Sequence, residues 1–182
     1  MIDPLIIKTL SIALGCLLLG AAWHKLIALQ AFAAVVADYR LAPSFLSASV
    51  AHILPPLEMA LGLAWILGMA MPLVAPATAA MLGIYTLAIA INLLRGRVHI
   101  SCGCGLGTGA HDDQQLSWVL VLRNLLLIAV SLLPMIESSG RVLGMIDGIM
   151  IAAALLASSL LYLGASQLLA NDASIRSWRH SK

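Results

Sequence analysis

The feature that most constrains this chain is a succession of five apolar runs, each about as long as a bilayer is thick. They extend from Leu5 to Trp23, His52 to Met71, Ala77 to Leu94, Ser117 to Met135 and Val142 to Leu163. About 20 mostly apolar residues in helical form cross the roughly 30 Å of bilayer hydrocarbon, and a helix bonds its own backbone polar groups where no water can. The expected fold class is therefore all-α, a polytopic helical membrane bundle of four to five transmembrane helices. Composition agrees, with 62% hydrophobic and 10% charged residues and a mean hydropathy of +1.01, outside the range of soluble domains. A chain of 182 residues then has no length left for a second, soluble unit. Residues 1–170 are expected to form a single integral membrane domain and 171–182, with Arg176, Arg179 and Lys182, a basic polar C-terminal tail. Asp3 stands before the first run where a signal peptide would carry basic residues, so this run reads as a retained span. A net charge of +2 gives no reason to invoke nucleic acid, and the basic residues beside apolar runs point to the lipid bilayer as partner.

Polar residues within the runs mark where the bundle is more than packing. Lys8, near the start of the first span, can reach the closer surface. From His24 to Arg40 apolar residues recur at helical spacing between charges, which predicts an amphipathic interfacial helix ended by Pro43. The second span is expected to open on Pro55-Pro56 and to carry Glu58 about 9 Å deep; Arg123 lies at a similar depth in the fourth span. An unpaired charge there costs about 3 kcal/mol on insertion scales, so Glu58 and Arg123 are expected to face each other, with Asn92 and Asn124 beside them. This supporting intramembrane polar cluster reads either as a clamp on helix register or as the lining of a cavity.

Five spans place the termini on opposite sides, here side A for the N-terminus and side B for the other. Lys25, Arg40, Arg95, Arg97, the island holding Cys102 and Cys104 described below, and the basic tail fall on B, Lys8 and Arg141 on A, which makes B, and the island with it, cytoplasmic by the positive-inside rule. Reading His24 to Arg40 as a further crossing inverts that assignment.

Between the third and fourth spans lies a polar island running from His99 through Cys102-Gly-Cys104-Gly to His111-Asp112-Asp113. Two thiols separated by one glycine can close a small, strained disulfide, and strained disulfides are the exchangeable ones. Arg95, Arg97 and protonated His99 would favour the reactive thiolate. Cys102 and Cys104 are thus a candidate catalytic redox pair. The same stretch offers an alternative metal set, His99, Cys102, Cys104 and His111, suited to zinc or copper(I), although the spacing is not that of a standard zinc module. Cys16, inside the first span, reads as a small apolar core residue and leaves the cysteine count odd. No cofactor is evident in the sequence; use of a quinone is left open.

The order Pro56-x-Glu58-x-x-x-Gly62, then Gly96-Arg97 leading to Cys102-Gly-Cys104-Gly, then Trp118 and Leu122-Arg123-Asn124-Leu125, resembles the methylamine-utilisation integral membrane family MauE and, more distantly, the DoxX-like family. The likeness covers nearly all of the chain up to the fifth span. One departure is that Gly105-Leu106-Gly107 stands where the family places an aromatic residue and a glycine after the second cysteine. The resemblance implies a multi-pass accessory protein of the bacterial inner (cytoplasmic) membrane. Such a protein assists processing, export or disulfide maturation of the methylamine dehydrogenase small subunit, beside a thioredoxin-like maturation protein. If enzymatic, it would be a membrane thiol-disulfide oxidoreductase. The competing expectation is a transport or docking component in which the Cys-Gly-Cys loop is structural or binds metal.

Overall fold

Asp3 and Pro4 begin the first helix in the way helix chemistry favours. The Asp3 carboxylate accepts from the Leu5 N–H at 2.9 Å and Pro4 takes a position whose missing N–H is not needed, opening α1 (Pro4–Ile27). In the computed structural model, which describes residues 3–41, 44–97, 118–136 and 144–160, α1 is followed by α2 (Leu29–Asp38), α3 (Ser44–Leu67), α4 (Met71–Leu94) and α5 (Trp118–Leu132). A 3-10 turn over Leu133–Met135 extends α5, and a further helix α6 covers Met145–Leu160. Four stretches, Pro4–Ile27, Ser47–Leu67, Met71–Leu94 and Trp118–Met135, are long and apolar enough to cross a membrane. The all-α membrane fold is as expected. The end of the fifth expected span, and the tail after it, lie outside the described residues.

Three boundaries differ from the sequence reading, and proline is the reason for two. Pro55 and Pro56 lie inside α3, which begins at Ser44, and Pro76 lies inside α4. Each proline removes one backbone bond to the carbonyl four residues earlier, and a transmembrane helix tolerates that loss where neighbours re-satisfy the freed group. The third difference is that α1 continues past Trp23 to Ile27, so the amphipathic segment starts only at Leu29, beyond a turn at Ala28.

The turn between α3 and α4 is tight. Gly68, at φ 71°, takes the left-handed position after α3 while the Met69 N–H reaches back to the Ala64 carbonyl at 3.0 Å. Gly96 repeats the device after α4: the Gly96 and Arg97 N–H groups bond the Leu93 and Asn92 carbonyls, both at 3.0 Å, with Gly96 at φ 71°.

Helix α1 packs against α3, α4 against α5, and α2 lies along α3. The first seam is set by two glycines: a Cβ on Gly15 would stand 2.9 Å from the Gly62 carbonyl oxygen, and one on Gly62 would stand 3.1 Å from the Gly15 carbonyl oxygen. Small residues let helix backbones approach closely, which is how helices associate in lipid. Leu14 and Leu18 of α1, Leu61 and Trp65 of α3, and Val74, Ala75 and Met81 of α4 form the main core. Trp65 donates its indole N–H to the Thr78 hydroxyl at 2.9 Å, so the polar edge of the largest buried ring is satisfied. A second cluster, Tyr39, Ile89 and Leu120, joins the end of α2 to α4 and α5.

The outward faces are apolar, with Leu57, Leu63, Ile84, Leu87, Val119 and Leu126 exposed, as a lipid-facing surface requires. Cys16 belongs to that surface and not to the core expected for it. The buried stripe of α1 runs Ser11, Leu14, Gly15, Leu18, Ala22 and Lys25, and position 16 falls outside it.

Candidate functional site

That stripe ends on a lysine. Lys25 follows Ala22 and Leu18 at spacings of three and seven, so helical geometry alone turns it toward α3, where its side chain is 3% exposed. On α3, Ala51, Pro55, Glu58, Leu61 and Trp65 make the matching inward stripe. Glu58 is therefore carried to the middle of the bundle, about 21 Å along α3 from Ser44 and about 13 Å from Leu67. Lys25 Nζ meets Glu58 Oε1 at 2.5 Å. The Tyr85 hydroxyl of α4 donates to the same oxygen at 2.7 Å, and Lys25 Nζ lies 3.5 Å from that hydroxyl. Three helices thus meet at one carboxylate oxygen. The ammonium also lies 4.8 Å from the centroid of the Tyr85 ring and 5.2 Å from that of Phe32, both within cation-π range.

The lysine side chain reaches inward to a carboxylate instead of outward to water. Pairing is what makes that tolerable, since an isolated charge in the bilayer interior is expensive and a hydrogen-bonded pair is much less so. Only one carboxylate oxygen is used. Glu58 Oε2 is buried with no hydrogen-bond partner among the described residues.

This arrangement corrects the expected pairing. Glu58 is held by Lys25, whereas Arg123 is exposed on α5. The expectation rested on matched depth, and depth shifts once α3 starts at Ser44; the azimuth of Arg123 then turns it off the packed face. Its neighbour Asn124 is buried, as is Asn92 on the partner helix α4. Asn92 donates to the Ala88 carbonyl at 3.0 Å. Its Oδ1, and the Nδ2 of Asn124, have no hydrogen-bond partner among the described residues. Of the expected polar cluster, Glu58, Asn92 and Asn124 are inside the bundle and Arg123 is not. Lys25 and Tyr85, which sequence reasoning passed over, complete the site. The signal for Lys25 was present in the spacing of Leu18, Ala22 and Lys25; ending the span at Trp23 concealed it.

Beside the ion pair lies a cavity of about 230 Å³, bounded by residues of α2, α3 and α4 and by Lys25 of α1. Above it, Arg97 Nη1 donates to the Asp38 carbonyl at 3.3 Å, at the C-terminal end of α2 where carbonyls lack helical partners. That bond ties the residue following α4 to the end of α2. Cys102 and Cys104, and with them the alternative metal set His99, Cys102, Cys104 and His111, lie outside the described residues. Among the described residues no group of three His, Cys, Asp or Glu side chains converges.

The signature residues now have physical roles. In Pro56-x-Glu58-x-x-x-Gly62, Glu58 supplies the charge partner and Gly62, one turn on, the close approach to α1. Gly96 closes α4 and Arg97 fastens that end to α2.

The family model described as methylamine utilisation protein MauE matches residues 3–137. The MauE protein of Paracoccus denitrificans is 40% identical over 138 residues, covering 72% of this chain and 69% of its own. That of Paracoccus versutus is 38% identical over 130 residues, 71% and 68% of the two chains. That of Methylorubrum extorquens is also 38% identical over 130 residues, covering 67% and 64%. No solved structure matches. With a match that spans the four long apolar helices and the loop between α4 and α5, this membrane chain belongs to the MauE family of methylamine utilisation proteins.

Proposed function

We propose that this protein is a multi-pass accessory protein of the bacterial inner membrane that matures the methylamine dehydrogenase small subunit by thiol-disulfide exchange at Cys102 and Cys104. The observation that carries the reading is the family match, whose bounds, residues 3–137, include Cys102 and Cys104. In the exchange, a dithiol of the exported subunit attacks the Cys102–Cys104 disulfide through a mixed disulfide. The subunit leaves with a new disulfide, and two electrons and two protons remain on the cysteine pair. The disulfide of a thioredoxin-like partner then reoxidises the pair and is itself reduced. Residues 1–170 act as one membrane domain, with Lys25, Glu58 and Tyr85 fixing the helices and 171–182 as a basic tail.

The fastening of Arg97 to α2, and the packing of α4 on α5, support this role because both ends of the loop leave from anchored helices. The experiment is replacement of each cysteine by serine in a methylamine-grown host. Loss of active dehydrogenase with the membrane protein still inserted is the expected result. Full dehydrogenase activity with both cysteines replaced overturns the reading. Exchange with an exported subunit requires the pair to be periplasmic, opposite to the positive-inside assignment of side B. Labelling with a membrane-impermeant thiol reagent, with Cys16 replaced, is expected only after reduction, and labelling only after lysis overturns the reading.

A second reading is favoured by the buried ion pair beside a cavity: a transport or docking component whose loop is structural or holds metal. It requires that Glu58→Gln abolish function while the serine replacements are tolerated, the opposite pattern to the first.

A further inference from the structure

The cavity has a chemistry of its own. Its walls are Phe32 and Val36 of α2, Leu54 of α3 and Ile84, Tyr85 and Ile89 of α4, and the charged group on its lining is Lys25. The net charge beside it is zero, because Lys25 is matched by Glu58 at 2.5 Å. An anionic ligand would add a second negative charge next to a carboxylate that already has one oxygen without a partner, and a cationic ligand would face Lys25. The occupant is therefore neutral.

It must also accept a hydrogen bond. An ammonium carries three hydrogens; Glu58 takes one, Tyr85 lies at 3.5 Å for a second, and the third has no partner among the described residues. A hydrocarbon chain would leave that hydrogen unbonded. A carbonyl oxygen would not. The rings of Phe32 and Tyr85 border the cavity as well as the ammonium, and aromatic walls suit a flat body. The wall formed by α2 is the thinnest, since that helix has no buried residue in its length.

We propose that this cavity binds the ring of a lipid-soluble quinone, with one ring carbonyl accepting from Lys25 and the ring lying against Phe32 and Tyr85. The site is independent of the thiol exchange proposed above and stands or falls separately.

The test uses the full chain in nanodiscs of quinone-free phosphatidylcholine and phosphatidylglycerol, labelled with a photoreactive azidoquinone and mapped by peptide mass. Adducts are expected on Phe32, Val36, Tyr85 and Ala88, which line the cavity, and not on the outward Leu87, competed by decylubiquinone and not by oleate. Ala88→Phe, which fills the cavity from its wall, is expected to cut labelling at least tenfold. Should that variant fail to accumulate, Phe32→Ala, on a helix with no buried residue, decides the matter with an expected loss of several-fold. The double variant Cys102→Ser, Cys104→Ser is expected to label like the parent. The proposal is overturned by adducts scattered over the lipid-facing leucines, by labelling undiminished in the cavity variants, or by loss of labelling in the cysteine variant. Displacement by oleate as effective as by decylubiquinone also overturns it, since the cavity then holds an acyl chain.

Discussion

The two helix seams of this bundle both bury polar groups and do so in opposite ways. Between α1 and α3 the charges find each other: Lys25 and Glu58 pair, Tyr85 joins them, and two glycines bring the backbones together. On α4 and α5 the buried polar groups are hydroxyls and two amides, and one atom of each amide, Asn92 Oδ1 and Asn124 Nδ2, has no hydrogen-bond partner among the described residues. The first seam has its charges paired, with Glu58 Oε2 left over. The second, whose helices flank the segment carrying Cys102 and Cys104, has no charge pair and leaves two amide atoms over. A membrane protein that must hold one part still while another meets a partner gains from that division, because buried polar groups rigidify a bundle only when satisfied.

Breaking the comparison at its strongest point should have the largest effect. Glu58→Ala leaves Lys25 buried and alone, and a loss of about 3–5 kcal/mol is expected, read as near absence of the protein from the membrane fraction. Lys25→Met with Glu58→Met together removes both charges and should restore accumulation. If the double variant is as depleted as the single one, the pair is not what holds this seam. Gly62→Val tests the backbone approach. Its side chain would meet the Gly15 carbonyl and Leu19, so a loss of about 1–3 kcal/mol is expected from overpacking, measured by thermal unfolding in detergent. Thr78→Val takes the acceptor from Trp65 and should cost about 1 kcal/mol. Asn124→Leu sharpens the other side: with its Nδ2 unbonded, the change should be neutral to slightly stabilising for the fold. A loss comparable to that of Glu58→Ala would show that α4 and α5 depend on their amides as α1 and α3 depend on their charges.

How much of this was legible in the sequence follows from what each residue type encodes. Apolar length gave the spans, because bilayer thickness is a constraint every helix meets alone. Family likeness to MauE was carried by Glu58, Gly62, Gly96, Arg97 and the Arg123-Asn124 pair, and the match over residues 3–137 bears it out. The choice of partner for Glu58 was not legible from depth. Two helices must agree in azimuth as well as height, and placing α3 correctly required knowing that Pro55 and Pro56 sit inside a helix instead of opening it. Cys16 shows the same gap on a smaller scale: its type suits a core, and its position on the helix does not. Burial is a property of a face, and a face is visible in sequence only after the span ends are set.

The 33 residues separating Lys25 from Glu58 also have a meaning in time. At a synthesis rate of roughly 5–20 residues per second, the glutamate is made about 2–7 seconds after the lysine. Throughout that interval the nascent protein has a cation at the end of its first helix without the carboxylate that it pairs with in the fold. The lysine lies two residues from the end of α1, close enough to wait at the headgroups, and only the arrival of α3 lets it leave them. The ion pair thus cannot form until the third helix has been made, so the contact that fixes the end of the first helix is among the later ones available to the growing chain.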